Sequence, residues 1–448
     1  MPLVFVHGVN TRRGKTPEEQ DVFNNRVKLL GEQFRHIVFA ERVTSANGLA
    51  VFSPYWGDLG VTFARNLASL PQATVQALAV GQPEAAPLLE AVSANLDVEL
   101  LQQPDIGRAP LLTMARTRNL AAAVDMLFAG AANAPLPAML FDSAQVDQTL
   151  PDVAHFAAAA ERYAAANPHP AWLASVADDE TLLDRLVTEV AAFETTLAAN
   201  APGGAAAPSP PAIQALGFGD GLKAWLDNGV TAVRGGVNKV VDNTTGAVSG
   251  LATQGVREGY LWFSGYVRPF ASEMVGRFAG DVFTYLENRQ PIVDRVLTDI
   301  DKALAAKRVG DEELYLVGHS FGGIILYDIL THFRPEIACD LYVTVGSQVA
   351  LFAEMGRLAD KATLSAAFGG GAGAVVPRPR AAKRWINIFD PTDPFGFGTR
   401  GVYGGAHDFQ FETDALPIVS HAAYFSTPRF YARLKERVRE AFQHGTDS

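Results

Sequence analysis

Leu314-Tyr-Leu-Val-Gly-His-Ser-Phe-Gly-Gly323 decides the fold. Four apolar residues run straight into a Gly-x-Ser-x-Gly turn, and an apolar helical pattern, Ile324–Phe333, leaves it. A serine between two glycines after a strand and before a helix is the context that Gly-x-Ser-x-Gly needs to act as a nucleophile turn. Gly318 and Gly322 keep side chains out of a tight bend that lifts the Ser320 hydroxyl above the sheet edge, and Gly323 lets the new helix approach the strands closely.

Outward from this turn, four more short apolar runs read as buried strands: Leu3–Val6, Leu49–Ser53, Leu341–Val345 and Trp385–Phe389. Continuous runs of this kind suit parallel strands covered on both faces. Helical patterns at Val349–Ala359 and Pro428–Phe442, and one from Arg277 to Lys307 feeding the third strand, complete a strand–helix alternation. The expected class is therefore α/β with a mainly parallel sheet. Between the second and third runs the chain is Ala-rich with helical spacing. It reads as a helical insertion over 60–265, with parts at 60–199 and 212–265 joined by a flexible linker at 200–211. The core would then be 1–59 and 266–448. A second Gly-rich loop, Phe368–Gly373, precedes the last strand and is expected to move.

A hydroxyl of ordinary proton affinity needs a base within hydrogen-bond reach. In the order serine, acid, histidine, four of the 9 histidines qualify by position: His332, His407, His421 and His444. His332 falls on a surface turn of the helix after the elbow, and His444 in a polar tail. His421, in the apolar segment Leu416–Phe425 before the closing helix, is preferred; His407 is the rival. The acid is expected after the strand Trp385–Phe389, where Asp390-Pro-Thr-Asp393-Pro supplies two candidates. Asp393 has the better reach, and Asp390 suits a turn before proline. Oxyanion donors are expected at the backbone N–H of Phe321 and of Val9, the latter in His7-Gly-Val-Asn10 after the first strand, where Gly8 permits the turn.

These residues together resemble the α/β-hydrolase superfamily, in particular its lipase- and esterase-like members. The likeness rests on Val6-His7-Gly8-Val9, Gly318-His-Ser-Phe-Gly322, Asp393 and His421, with Val343-Thr-Val-Gly-Ser347 after the nucleophile helix. It spans about 1–58 and 278–440. It implies a Ser320–His421–Asp393 triad, no cofactor and no metal, and a helical lid or cap over an acyl pocket. The usual leading antiparallel strands are missing, which leaves the edge beside Leu3–Val6 needing another cover.

Composition narrows the rest. With 48% hydrophobic and 19% charged residues the chain is an ordinary globular one, and at 448 residues it holds two or three compact units. A net charge of −11 without a cationic run argues against nucleic acid, since the small cluster Arg378, Arg380, Lys383 and Arg384 suits a solvated loop. The single cysteine, Cys339, rules out an intrachain disulfide and reads as core. Neither a leader nor a span of ~20 apolar residues is present, so a cytoplasmic location is expected. Val230, Val233, Val237, Val240 and Val241 share one helical face before Leu261–Tyr266. They are expected to pack the cap's own core; a weak membrane-surface contact is the other reading. Tyr55, Trp56 and Asp58 are expected to anchor the cap. The leading function is hydrolysis of a carboxylic ester, small or lipid, through an acyl-enzyme. Acyl transfer, thioester or amide cleavage would use the same triad. A non-catalytic scaffold would leave the triad residues without a purpose.

Overall fold

A computed structural model describes residues 1–14, 16–43, 48–64, 92, 95, 96, 98–137, 143–199, 220–254, 275–307, 311–369, 375–415 and 417–443. Six parallel strands form the main sheet: β1 (Pro2–Val6), β2 (Ala50–Phe52), β3 (Tyr315–His319), β4 (Leu341–Val345), β6 (Trp385–Phe389) and β8 (His407–Gln410), in the order β2-β1-β3-β4-β6-β8. Two-residue strands β5 (Val376–Pro377) and β7 (Tyr403–Gly404) pair in a second, small sheet. The class is α/β with a mainly parallel sheet. β8 has no counterpart among the expected strands. Its residues are exposed or half-buried and carry none of the continuous apolar character that marks the other strands.

Period-2 alternation sorts the strands onto two faces. Leu3, Phe5, Tyr315, Val317, Leu341, Val343, Ile386 and Ile388 point into one apolar cluster, while Val4, Val6, Leu316, Tyr342 and Trp385 point into the other. Helices Gln290–Ala305, Phe321–Asp328, Val349–Glu354 and Lys361–Phe368 cover the second face. Helices Pro17–Gln33 and Pro428–Gln443 cover the first. The former follows a signature absent from the expected elements: Thr16 Oγ1 accepts a hydrogen bond from Glu19 N–H, the Glu19 carboxylate accepts one from Thr16 N–H, and Pro17 starts the helix.

The edge beside β1 has the other cover it was expected to need. β2 pairs along it in parallel, so β1 lies inside the sheet and the three-residue β2 is the edge. The described part of the insertion is helical. Helices Pro110–Thr117, Leu120–Ala132, Ser143–Ala166, Asp179–Ala199 and Asp220–Gln254 share one continuous apolar cluster with the first face of the sheet. Helix Ser143–Ala166 packs on Pro17–Gln33 and on the closing helix. At ~1.5–3 kcal/mol for each fully buried large apolar side chain, the shared cluster ties these helices to the sheet. The linker at 200–211, the segment Leu261–Tyr266 and the boundary at 265 lie outside the described residues, as does most of the Gly-rich loop after Phe368.

Val230, Val233, Val237 and Val240 are buried, and Val241 packs partly buried beside them. Their helix crosses Leu120–Ala132 at Gly130 and Gly229, so close that a Cβ on Gly130 would lie 2.4 Å from Val233 Cγ2. The valine face is interior. Among the described residues no helix is long and apolar enough to cross a membrane. Cys339 is fully buried, as expected of a core residue. In the basic cluster, Lys383 pairs with Asp340 at 2.6 Å and Arg384 lies over the Phe442 ring at 4.2 Å.

A shared core predicts one unfolding event. Urea transitions followed at Trp225 in the inserted helices and at Trp385 in β6, each as the only retained tryptophan, should coincide. Separate midpoints would show that the insertion folds as its own unit.

Candidate active site

The strand order reverses between β1 and β3: the chain steps outward from β1 to β2, then returns past β1 to β3 and onward. The crevice beyond the carboxyl ends of strands at such a switch point is where open α/β sheets bind ligands. Both His7-Gly8-Val9 and Ser320 stand there, after β1 and β3 respectively.

Ser320 has φ 52° and ψ −125°, a backbone conformation costly for a residue with a side chain. Its N–H donates to Val345 O at 2.8 Å, which seats the turn on the end of β4. The flanking space admits only glycine: a Cβ on Gly322 would lie 2.1 Å from Val6 O, and one on Gly318 2.5 Å from Gly323 Cα. Gly8 closes against the serine itself, since a Cβ there would stand 2.6 Å from Ser320 Cβ.

The three sequence-expected side chains meet. Ser320 Oγ donates to His421 Nε2 at 2.8 Å, and His421 Nδ1 donates to Asp393 Oδ2 at 2.9 Å and Oδ1 at 3.1 Å, the ring tautomer following from these partners. Asp393 and Ser320 are buried, and His421 is nearly so. Asp393 sits in the loop after β6 and is held by the N–H of Phe395 at 2.8 Å and the Tyr424 hydroxyl at 2.9 Å. Burial, with the neighbouring carboxylates, pushes the Tyr424 phenol up, so it stays protonated and donates. His421 lies in a short helix, Pro417–Ala423. Phe321 opens the helix after the serine, so its N–H belongs to the first turn, whose amides have no acceptor inside the helix. Val9 lines the cavity beside His421.

The rivals are elsewhere. Asp390 is structural: Oδ1 accepts from Thr392 N–H and Oγ1, and Oδ2 from Thr413 N–H and Oγ1, at 2.5–2.8 Å. His407 is exposed on β8, the far edge of the sheet, and His332 is exposed on the turn Ile329–Phe333. His444 lies outside the described residues.

Three supports of the site went unread in the sequence. His319, the variable position before the serine, donates from Nε2 to His421 O at 2.9 Å and stacks on the His421 ring at 5.1 Å. Burial, helped by the adjacent His421, lowers its pKa to about 3, so it remains a neutral brace. His7 is held similarly, with a pKa near 4 through burial. Its Nδ1 donates to Gly8 O at 2.8 Å, its Nε2 accepts from Trp56 N–H, and its ring stacks on the Trp56 indole at 5.0 Å. Trp56 and Asp58 therefore tie the segment after β2 to the core, Trp56 through His7 and Asp58 through its ion pair with Arg295. The third support is Asp281, fully buried on the helix at 275–287. It accepts from Asn10 N–H at 2.9 Å, Val61 N–H at 2.7 Å and Arg12 Nη2 at 2.6 Å. Asn10 has φ 59°, so a carboxylate 271 positions away fixes the strained end of the Gly8-Val9 loop. Tyr424, the partner of Asp393, did have a local signal, its three-residue spacing from His421.

A cavity of about 290 Å³ opens beside His421 and Val9, with Phe5, Phe23, Leu30, Phe128, Phe278 and Phe425 along its wall. Tyr55 and Arg12 also line it. Among the described residues no group of three or more His, Cys, Asp or Glu side chains is placed to hold a metal. No protein-family model, curated protein or solved structure matches the chain.

Buried neutral histidines make the fold acid-sensitive. His7, His155 and His319 bind protons in the unfolded chain below about pH 6.5 but in the native state only near pH 3–4. The unfolded state thus holds more protons in that window, and stability falls as pH drops through it, by up to ~1.4 kcal/mol per pH unit for each histidine. Urea midpoints between pH 7 and 4.5 should show this, with a shallower decline in His319→Gln. An unchanged slope in that variant would mean that His319 is not held neutral.

Proposed function

We propose that the chain is a serine hydrolase of the α/β-hydrolase type, with its inserted helices forming a cap, and that it cleaves carboxylic esters through an acyl-enzyme. The observation that carries this reading is the unbroken chain Ser320 Oγ, His421, Asp393, with hydrogen bonds of 2.8 and 2.9 Å, on a strained elbow at the topological switch point. Such an arrangement has no structural need. A turn built only for folding would use glycine at φ 52°, and it would not bury a histidine–aspartate pair whose formation costs desolvation.

The chemistry follows from the geometry. Ser320 Oγ attacks the ester carbonyl carbon while its proton passes to His421 Nε2. Asp393, hydrogen-bonded to Nδ1, keeps the other ring nitrogen free to accept and stabilises the imidazolium without taking the proton. The carbonyl oxygen gains a negative charge, received by the N–H groups of Phe321 and Val9; one such donor is worth roughly a hundredfold to a thousandfold in rate. The intermediate collapses, the C–O bond to the alcohol breaks, and the leaving oxygen takes the proton from His421. Water then repeats the sequence on the acyl-enzyme, with His421 as base, and releases the acid and free Ser320. The apolar wall of the adjoining cavity supports an ester with an apolar portion near the reacting carbonyl.

A fluorophosphonate probe should label Ser320 in the wild type and leave Ser320→Ala unlabelled; absence of wild-type label would sink the hydrolase reading. On a p-nitrophenyl ester, Asp393→Asn should lower kcat by about 10⁴ through loss of the correct tautomer. Asp390→Asn should instead lower the melting temperature, by weakening four buried hydrogen bonds, while its folded fraction keeps near wild-type turnover. The reverse pattern would assign the acid to Asp390.

A further inference from the structure

The cavity beside the triad contains polar groups that ester cleavage does not use. Gln33 ends the helix Pro17–Gln33 and is only 3% exposed, yet among the described residues its carboxamide has no hydrogen-bond partner, and it lines the cavity. Asn133, 7% exposed and on the same lining, donates Nδ2–H to Ala129 O at 2.7 Å, which leaves its carbonyl oxygen for a guest. Ser53, just past β2, has a buried Oγ without a partner. These residues come from three separate elements and line one mostly apolar space. A buried polar group left unpaired costs about 1–3 kcal/mol, so native structures pair such groups with protein, water or ligand. A few fixed polar groups in an apolar pocket set which guest it accepts.

We propose that this cavity receives a chain bearing its own hydrogen-bonding group, a hydroxyl on an otherwise apolar segment, which the Gln33 and Asn133 carboxamides recognise. The substrate class is thus a hydroxylated aliphatic ester in preference to a plain alkyl one. At about 290 Å³ the space is close to the lower end of the range found for small-molecule sites. This rests on the serine-hydrolase reading, and it goes further by naming what the cavity selects. A pocket that offers hydrogen bonds penalises the analogue that cannot return them, because its own groups are then buried unpaired.

The test compares kcat/KM within matched pairs. One arm places the hydroxyl in the acyl half, using p-nitrophenyl octanoate and its ω-hydroxy and mid-chain hydroxy counterparts. The other places it in the alcohol half, using the acetate esters of octanol and of octanediols. In one arm the hydroxylated member should be favoured about tenfold, the worth of a single well-placed hydrogen bond. That ratio should fall to about one in Gln33→Leu and be partly kept in Gln33→Asn. Because the ratio is internal to each variant, it does not depend on how much of the variant folds. Ratios near one in both arms, or a preference that survives Gln33→Leu, would overturn the proposal and leave water as the partner of these groups. If no ester is turned over and Ser320 takes no fluorophosphonate, the hydrolase reading fails and this inference with it. A labelled, active enzyme without the preference defeats this inference alone.

Discussion

The backbone at Ser320 is the constraint on which the rest depends. A serine at φ 52° persists only where its surroundings over-determine it. Here they do so from three strands: Val345 O on β4 accepts its N–H, Val6 O on β1 leaves no room for a side chain at Gly322, and β3 delivers the turn itself. Parallel pairing of β1, β3 and β4 in register is therefore what holds the hydroxyl above the sheet edge. The same closeness brings Gly8 against the serine, so the loop after β1 and the elbow after β3 form one surface even though some 310 residues separate them. Strain and close approach are two results of a single packing arrangement.

Around that point the protein uses buried carboxylates as braces, each with its oxygens satisfied by donors from distant segments. Asp281 gathers Asn10, Arg12 and Val61; Asp390 gathers Thr392 and Thr413; Asp328, on the elbow helix, accepts from Tyr285, Arg289 and the N–H of Ala359. Removing one donor would leave a buried charge under-compensated, which costs more than the bond itself appears to contribute. This explains why Asp390, at the very tip of β6, serves folding while Asp393 faces the histidine. Asp390 is used up in joining the loop after β6 to the loop after β8. Asp393, three residues on, is where the chain first comes within reach of His421.

Local signals made the core of the fold and the three triad positions legible in the sequence. Strands β1, β3, β4 and β6 announce themselves because both their faces are buried, and the elbow because its glycines are steric necessities. β8 was illegible for the converse reason: as an edge strand with half-exposed residues it has no apolar run. Helix Pro17–Gln33 was written in the Thr16–Glu19 capping box but has little apolar periodicity, and most of its residues are exposed or half-buried. Asp281 and Gln33 carry no pattern at all. One acts through a partner 271 positions away, and the other matters because it is buried beside a cavity that exists only once the chain has folded.

The insertion shows why motif and specificity separate in this chain. Its helices do not stand off from the sheet; Leu120–Ala132 and Ser143–Ala166 enter the same apolar cluster as Phe5 and Tyr315. That placement puts Phe128, Ala132 and Asn133 in the cavity wall next to His421. Residues that stabilise one face of the sheet thus also shape the space beside His421. Changes in the inserted helices alter the cavity and the core together, because packed interiors transmit small shifts instead of absorbing them. On the proposed function, the elbow sets the chemistry at Ser320, and helices that share no motif with it shape the cavity that selects the ester.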